Sequence, residues 1–386
     1  MKKLVKNQLF VLIIAVLTLV LFERTVPVVT LTDRAIVVAV GIDKEEDKFV
    51  LSAQIVRPSR NDGSKGSTAY SVIKGKGNSL SQAIAEVSQN CSLNASLAHC
   101  NLVVIGEYLK EKGEYPNFEN LASSYGLPYE ARVVIADKKA SEIVEYLCLY
   151  EISGITFTDY LKSDRISAEQ FTSSVKQLLY DGTLEGAYTR LLSVALLGED
   201  VSYVEKPETT WIEGLEMKSC YLIKYGESAV SLDEEQTKTV NMVLEKPKIG
   251  NVLVTVSDTK VDLLLEGASS KLSYKFEGDK PILTIKTKIE VKADEFDNKR
   301  RDLTLTEEDF FDALLEDVKK EVASDYVQSL KNVIDYLTEK GVDLFEVYEG
   351  FDRFERKKWR KIASKENYLS LVEYKIEVEV VVIGVE

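Results

Sequence analysis

Histidine and cysteine are scarce in this chain. Its 386 residues include one histidine, His99, and four cysteines. A single histidine cannot form a His-rich metal site or a pair of histidines that relays protons. No two cysteines form a C-x-x-C pair, and four cysteines in a chain of this length are too few for a disulfide framework. Free thiols are therefore expected, while a disulfide between Cys91 and Cys100 is left open for an oxidising compartment.

Motifs that identify common enzymes and nucleotide-binding proteins are also absent from the sequence. It contains no G-x-S-x-G nucleophile elbow, no G-x-G-x-x-G fingerprint and no P-loop. His99 could be a ligand, a proton-linked switch, or a histidine bonded to backbone at the start of a strand. With 63 Asp and Glu, a glycosidase-type carboxylate pair cannot be picked out by spacing. We predict a protein that is not an enzyme, with no catalytic, cofactor-binding or metal-binding residues.

Positive charge is in deficit, because 49 Lys and Arg stand against 63 Asp and Glu and give a net charge of −14. Binding to a phosphate backbone needs a basic surface, so we predict no nucleic-acid partner. A hydrophobic content of 45% and a charged content of 29% are ordinary for a globular protein. The length indicates two or three domains.

The longest apolar run lies near the N-terminus. Lys2, Lys3 and Lys6 precede an uncharged segment, residues 7–22. A basic flank followed by an apolar stretch is typical of a secretory signal or a signal anchor. Since neither an A-x-A cleavage site nor a cysteine follows, residues 1–24 are predicted to be an uncleaved membrane anchor, with the rest of the chain outside the cytoplasm. A cleaved signal and an ordinary first helix are the alternatives. The predicted anchor side chains are Leu9, Phe10, Val11, Leu12, Ile13, Ile14, Leu17, Leu19, Leu21 and Phe22.

Strand and helix patterns alternate over residues 31–205. Apolar, β-branched runs at 34–40 and 48–56 flank a charged turn and predict a hairpin. Helices at 80–88, after Asn78 and Ser79, and at 138–147 alternate with strands at 101–105, 129–136 and 189–197. We predict an N-terminal α+β region over 31–205, with a further division near residue 150 left open. The acidic, Pro207-containing segment 198–209 marks its end.

Residues 206–386 are predicted to form a C-terminal α+β domain. A strand at 217–225 and a helix at 231–244 capped by Ser231 open it, and strands at 271–276 and 281–292 alternate with one apolar and one Lys/Glu face. Apolar residues at helical spacing predict a long helix at 306–340, ended by Gly341, before a final strand at 369–383. The predicted fold is thus multi-domain α+β, with mixed or antiparallel sheets each flanked by helices, the long C-terminal helix packed on a sheet, and a single N-terminal membrane anchor.

A basic connector, defined as Arg353–Lys361 (RFERKKWRK), separates this helix from the final strand. Six of its nine residues are basic, which is unusual in an acidic chain. One interpretation is contact with anionic lipid or an acidic partner, through Arg356, Lys357, Lys358, Trp359 and Arg360. The other is the solvated face of a short helix whose Trp359 packs inward.

Several segments together resemble the Ger(x)C family, the C subunits of spore germinant receptors. They are Leu31–Val37 leading to Gly41–Asp43, Leu97–His99 followed by Val103–Glu107, Arg132–Val134 with Ala140 and Glu142–Ile143, Trp211–Leu215, Ile334–Phe345, Trp359–Ile362, and the last strand to Gly384. The resemblance covers residues 31–386, and the order and spacing of the segments support it more than any one motif.

This resemblance implies a non-enzymatic, extracytoplasmic subunit of a germinant receptor, needed for nutrient-triggered germination. It would lie on the outer face of the spore inner membrane beside integral-membrane A and B subunits, with no cofactor. Family members usually carry a lipidated cysteine after the signal. The first cysteine here is Cys91, which favours the uncleaved anchor. An extracytoplasmic protein that binds a small germinant directly and a cell-envelope hydrolase are the alternatives.

Overall fold

A computed structural model describes residues 12, 14–18, 34–56, 70–149, 152–162, 168, 170–183, 188–196, 215–245, 247, 250–256, 259–295, 307–363 and 368–383. Its strands are β1 (Arg34–Glu45), β2 (Lys48–Val56), β3 (Tyr70–Gly77), β4 (Asn94–Ser96), β5 (Leu102–Ile105), β6 (Arg132–Ala136), β7 (Ser173–Ser174), β8 (Thr189–Leu196), β9 (Leu215–Ile223), β10 (Val230–Leu232), β11 (Asn251–Val256), β12 (Thr259–Glu277), β13 (Lys280–Glu295) and β14 (Glu373–Ile383).

Its helices are α1 (Leu80–Cys91), α2 (Tyr108–Lys112), α3 (Phe118–Tyr125), α4 (Ala140–Leu149), α5 (Gly154–Lys162), α6 (Val175–Asp181), α7 (Glu234–Leu244), α8 (Glu307–Lys340), α9 (Val347–Phe354) and α10 (Arg356–Trp359), with a 3-10 turn at Tyr368–Leu371. These strands and helices confirm the predicted α+β class.

The first sheet is mixed and has the order β10-β9-β8-β6-β5-β1-β2-β3. Strands β1, β5, β6 and β8 run parallel to one another, and β2, β3 and β9 run antiparallel to their neighbours. The predicted hairpin of the first two strands is confirmed, with Glu45 opposite Lys48. The short strands β4 and β7 add to β1 and β6.

Helices cover both faces of this sheet, which makes its central strands almost wholly buried. Val37, Val40 and Ile42 of β1 pack on the side of α1 and α3. Ala39, on the opposite side of β1, belongs to the core that includes α4 and α5. Parallel strands buried on two faces are expected to read as continuous β-branched runs, and β1 and β5 do.

The second sheet has the order β11-β12-β13-β14. Strand β14 runs parallel to β13, because the 34-residue helix α8 returns the chain to the same end of the sheet. Apolar side chains of α8 from Val318 to Leu337 pack on one face. The other face carries ion pairs such as Lys286–Glu377, so the predicted one-sided burial is confirmed.

The change from one sheet to the other lies after residue 232. Strands β9 and β10 extend the first sheet, although their residues follow the domain boundary predicted near 205. Helix α7 then leads to β11 and shares a core with both sheets. The predicted division at 205/206 stays a prediction. The cap predicted for α7 is wrong, because Ser231 pairs in β10 and Asp233 accepts the capping hydrogen bond from the Gln236 N–H at 2.8 Å.

Candidate functional site: a basic surface beside the second sheet

A half-buried carboxylate, Asp343, caps α9, the helix whose last two residues begin the basic connector. Asp343 accepts hydrogen bonds from the backbone N–H groups of Val347 at 2.7 Å and Tyr348 at 2.8 Å. The hydroxyl of Tyr368 donates a third, at 2.8 Å. The Asp343 carboxylate thus satisfies two of the first N–H groups of α9, which would otherwise be unpaired. Burial raises the pKa of Asp343, and the three hydrogen bonds oppose that rise.

Aromatic rings hold the connector against the second sheet. Phe351 of α9 lies between the ring of Trp359, stacked at 4.8 Å, and that of Tyr274 on β12, edge-on at 5.5 Å. Gly350 allows this approach, since a Cβ there would overlap the ring of Tyr274. The Tyr274 hydroxyl also donates to the Phe345 carbonyl at 2.9 Å. Trp359 thus anchors the connector in the core of the domain.

The outer face of the connector carries its charges and one exposed aromatic ring. Phe354 is 65% exposed, and its ring stacks on Tyr274 at 6.2 Å between centroids. Asp352 pairs with both Arg356 and Arg360 at 3.0 Å, and the hydrogen bond from Arg360 is the main cause that lowers the pKa of Asp352. Lys358 donates to the Gly278 carbonyl at 3.0 Å.

The five predicted contact residues therefore divide into two groups. Arg356, Lys357, Lys358 and Arg360 are exposed to solvent. Trp359 is wholly buried, so its predicted role as a contact is wrong and it packs inward. The exposed aromatic residue is Phe354, which the sequence prediction missed. Phe351 and Phe354 are both apolar positions in a short helix, and only the packing on β12 shows which one is buried.

Other singled-out residues lie apart from this surface. His99 is exposed in the turn before β5 and makes no hydrogen bond within the described ranges, contrary to the backbone-bonded interpretation. All four cysteines are free thiols, and burial raises the pKa of Cys100 and Cys220 to about 12. Their thiols are therefore protonated at neutral pH.

Most of the predicted anchor lies outside the described residues, namely Leu9, Phe10, Val11, Ile13, Leu19, Leu21 and Phe22. Leu12, Ile14 and Leu17 are helical and exposed. Across the portion of the chain that the structure describes, no helix is both long enough and apolar enough to span a bilayer. The anchor stays a prediction.

A groove of about 290 Å³ is the second candidate site, and it lies between α7 and α8 beside β11. Its floor includes Met242, Ile289 and Val322, and its rim carries charged groups of both signs. Glu235 on the rim accepts a hydrogen bond from the Ser329 hydroxyl at 2.8 Å, and Lys238 donates to the Asn251 carbonyl at 3.3 Å.

A buried carboxylate in the first sheet, that of Asp43, joins three of the segments that carry the family resemblance. Asp43 of β1 accepts hydrogen bonds from the N–H groups of Ala140 at 2.8 Å and Ser141 at 2.9 Å, at the start of α4. Gly106, after β5, lies so close that a Cβ would overlap the Asp43 carboxylate. Gly41 gives similar room to the Ala140 carbonyl. These motif residues serve packing and capping.

Family models match the two halves of the chain. The model described as spore germination protein N-terminal domain matches residues 28–189, and the model described as spore germination B3/GerAC like, C-terminal, matches residues 221–386. The chain belongs to the GerAC-like family of spore germination proteins. The motif residues Gly41, Asp43, Gly106 and Ala140 fall within the N-terminal match, and the basic connector falls within the C-terminal match.

Two individual proteins are similar to this chain. Spore germination protein KC of Bacillus subtilis (strain 168) is 36% identical over 126 residues, which are 30% of this chain and 31% of that protein. The alignment thus spans about a third of that relative. A structure titled "Crystal Structure of the GerBC protein" aligns with a TM-score of 0.49 and 15% identity, over 89% of this chain and 97% of that one.

Proposed function

We propose that the chain is a membrane-anchored, extracytoplasmic and non-enzymatic subunit of a spore germinant receptor complex. The observation that carries this proposal is the ordered match of two germination-protein domains over residues 28–189 and 221–386. The complex would lie in the spore inner membrane and respond to nutrients. Its other members would be integral-membrane A and B subunits, which this subunit contacts outside the cytoplasm.

Deletion of the gene in a spore former that encodes it tests the role directly. We expect mutant spores to form with normal heat resistance and to lose germination with the nutrient that the receptor detects. Restoring the chain should restore the response. Normal nutrient germination of the mutant across a panel of amino acids and sugars would contradict the proposal, unless a second receptor shares the nutrient, which a double deletion resolves.

Partners and topology have tests of their own. The tagged chain, cross-linked in spore membranes, should capture multi-pass membrane proteins encoded beside it. Mass spectrometry of the purified chain should find residues 1–24 still attached, whereas a mature form that begins after them would show a cleaved signal. Turnover of spore-envelope material by the purified chain would contradict the non-enzymatic proposal.

The groove between α7 and α8 favours a second candidate function, direct capture of a small germinant. Its apolar floor and its rim of both charges would suit a small zwitterionic or polar molecule. Calorimetric titration of the full chain in detergent with amino acids and sugars should show saturable heat that Lys238→Met abolishes. If no heat of binding is measured at millimolar ligand, the direct-capture function is wrong and the subunit binds partner proteins only.

A further inference from the structure

We propose that the exposed face of the basic connector binds the anionic phospholipid surface of the membrane, with the ring of Phe354 inserted among the headgroups. This face, called the connector face below, consists of Arg353, Phe354, Arg356, Lys357, Lys358, Arg360 and Lys361. The inference rests on the proposed membrane anchor for bringing the body close to lipid. It adds a second, reversible contact made by the folded domain.

Phe354 is held outward by the packing beneath it. The ring is 65% exposed and lies nearly parallel to Tyr274, with 10° between the planes. Tyr274 is itself fixed by its hydrogen bond to the Phe345 carbonyl and by its contact with Phe351. An exposed aromatic ring flanked by cations is the composition of interfacial membrane contacts, since the ring enters the headgroup region while the cations meet phosphate.

The charge on the connector face exceeds what the protein itself neutralises. Residues 352–361 contain six basic residues and two acids, Asp352 and Glu355. Asp352 pairs with Arg356 and Arg360 together, so one carboxylate serves two guanidinium groups. Arg353, Lys357 and Lys361 have no ion pair with any residue that the structure describes. An anionic lipid surface supplies the missing negative charge.

The rest of the protein disfavours any other orientation toward such a membrane. The net charge is −14, so most faces are repelled by anionic headgroups. The nine residues 25–33 link the proposed anchor to Arg34 and span at most about 30 Å when extended. The body is therefore confined near the bilayer, where even a weak contact has a high effective concentration. The acidic net charge and the short link to the anchor both favour lipid over an acidic protein as the partner of the connector face.

Photo-cross-linking of the full chain in vesicles tests the proposal. Phe354 is replaced by benzoylphenylalanine, and the chain is reconstituted into vesicles of phosphatidylcholine alone or with phosphatidylglycerol. The matched control places the same probe at Tyr225, which is 73% exposed beside Glu227 in another turn. We expect lipid adducts at position 354 that increase several-fold with phosphatidylglycerol, and background levels at position 225. Equal adducts at the two positions, or no dependence on phosphatidylglycerol, would overturn the proposal.

A charge variant and flotation separate this inference from the anchor. The triple change Arg353→Gln, Lys357→Gln, Lys361→Gln should lower the adducts to the phosphatidylcholine level without changing the unfolding midpoint. The control triple change Lys271→Gln, Lys286→Gln, Lys288→Gln should leave the adducts unchanged.

Vesicle flotation reports the anchor separately. Flotation of the chain with both kinds of vesicle but no lipid adducts at position 354 would overturn the connector contact and keep the anchor. Flotation and adducts only with phosphatidylglycerol would support the contact and overturn the anchor. In native spore membranes, adducts to protein alone at position 354 would assign the face to an acidic partner instead and overturn the proposal.

Discussion

The two sheets of this protein use the same kinds of residues to different ends. The first sheet has helices on both faces, and its glycines allow backbone contacts that no other residue permits, as where Gly41 meets Ala140. The second sheet buries one face under α8 and leaves the other to paired lysines and glutamates. The first sheet is thus covered on both faces, whereas the second leaves one face exposed to solvent. The basic connector packs against the second sheet.

Two aspartates that cap helices, buried Asp43 in the first region and half-buried Asp343 in the second, show the same contrast. Asp43 caps α4 from a strand 97 residues earlier, and so ties the first sheet together across the chain. Asp343 caps α9 from four residues earlier, and so organises only the connector. Loss of the first cap should therefore affect the whole fold, while loss of the second should affect a local segment.

The largest effect is expected for Asp43→Ala. It would leave the N–H groups of Ala140 and Ser141 buried without acceptors and open a void beside Gly106. Unpaired buried groups of this kind cost about 1–3 kcal/mol each, so we expect a loss of roughly 3 kcal/mol in the free energy of unfolding. Urea unfolding followed by circular dichroism measures it.

The matched control is Asp233→Ala, because Asp233 is an exposed N-cap on α7. A lost exposed cap costs about 1 kcal/mol. If Asp43→Ala and Asp233→Ala lower the free energy of unfolding equally, burial and long-range connection add nothing to the Asp43 cap. The expected difference between the two sheets would then be wrong for their caps.

A smaller effect is expected for Gly350→Ala in α9. Alanine favours a helix interior over glycine by about 1 kcal/mol, but here its Cβ would overlap the Tyr274 ring. Overpacking costs about 1–3 kcal/mol, so we expect a net loss of roughly 1 kcal/mol and a changed near-ultraviolet spectrum from the aromatic cluster. Gly267→Ala is the control, since the nearest atom to its Cβ is a Glu290 carboxylate oxygen at 3.4 Å. A stabilised Gly350→Ala protein would show that the connector can move away from the sheet.

The pH dependence of stability should report Asp343. Burial raises its folded pKa above the unfolded value, so between these two values the folded state binds more protons. This group's contribution is therefore present at low pH and is lost as the pH rises through the folded pKa. As the pH increases from about 4, wild type should therefore lose stability relative to Asp343→Asn. A difference that is constant with pH would mean that the carboxyl has an ordinary pKa.

Local patterns predicted much of this fold. The β1–β2 hairpin, the Ser79-capped α1, the long α8 and the final strand β14 all follow from periodicity and capping within short windows. Such features depend on neighbouring residues, so a single sequence contains enough information. Alternation also predicts the hairpin of β12 and β13, although both strands are longer in the structure than the pattern indicates.

Features that depend on distant partners could not be predicted in this way. The pairing of β9 with β8 extends the first sheet past the predicted boundary, and no short pattern distinguishes that pairing from a new domain. The same holds for the connector. Composition indicated a basic, aromatic surface, but the contact of Phe351 with Tyr274 and Phe276 on β12 decides that Trp359 is buried and Phe354 is exposed.

The smallest expected effect compares one ion pair from each sheet. Lys286–Glu377 on the open face of the second sheet is the shorter, at 2.7 Å, but both side chains are more than half exposed. Lys110–Asp137 beside the first sheet is longer, at 3.1 Å, with side chains 16% and 35% exposed. Because solvent screens exposed pairs, double-mutant cycles with alanine should give a coupling of at most about 0.5 kcal/mol for the short pair and about 1 kcal/mol for the long one. High salt should abolish the first and reduce the second only in part. The reverse order would mean that distance outweighs burial here, and that the open face of the second sheet contributes more to stability than its exposure indicates.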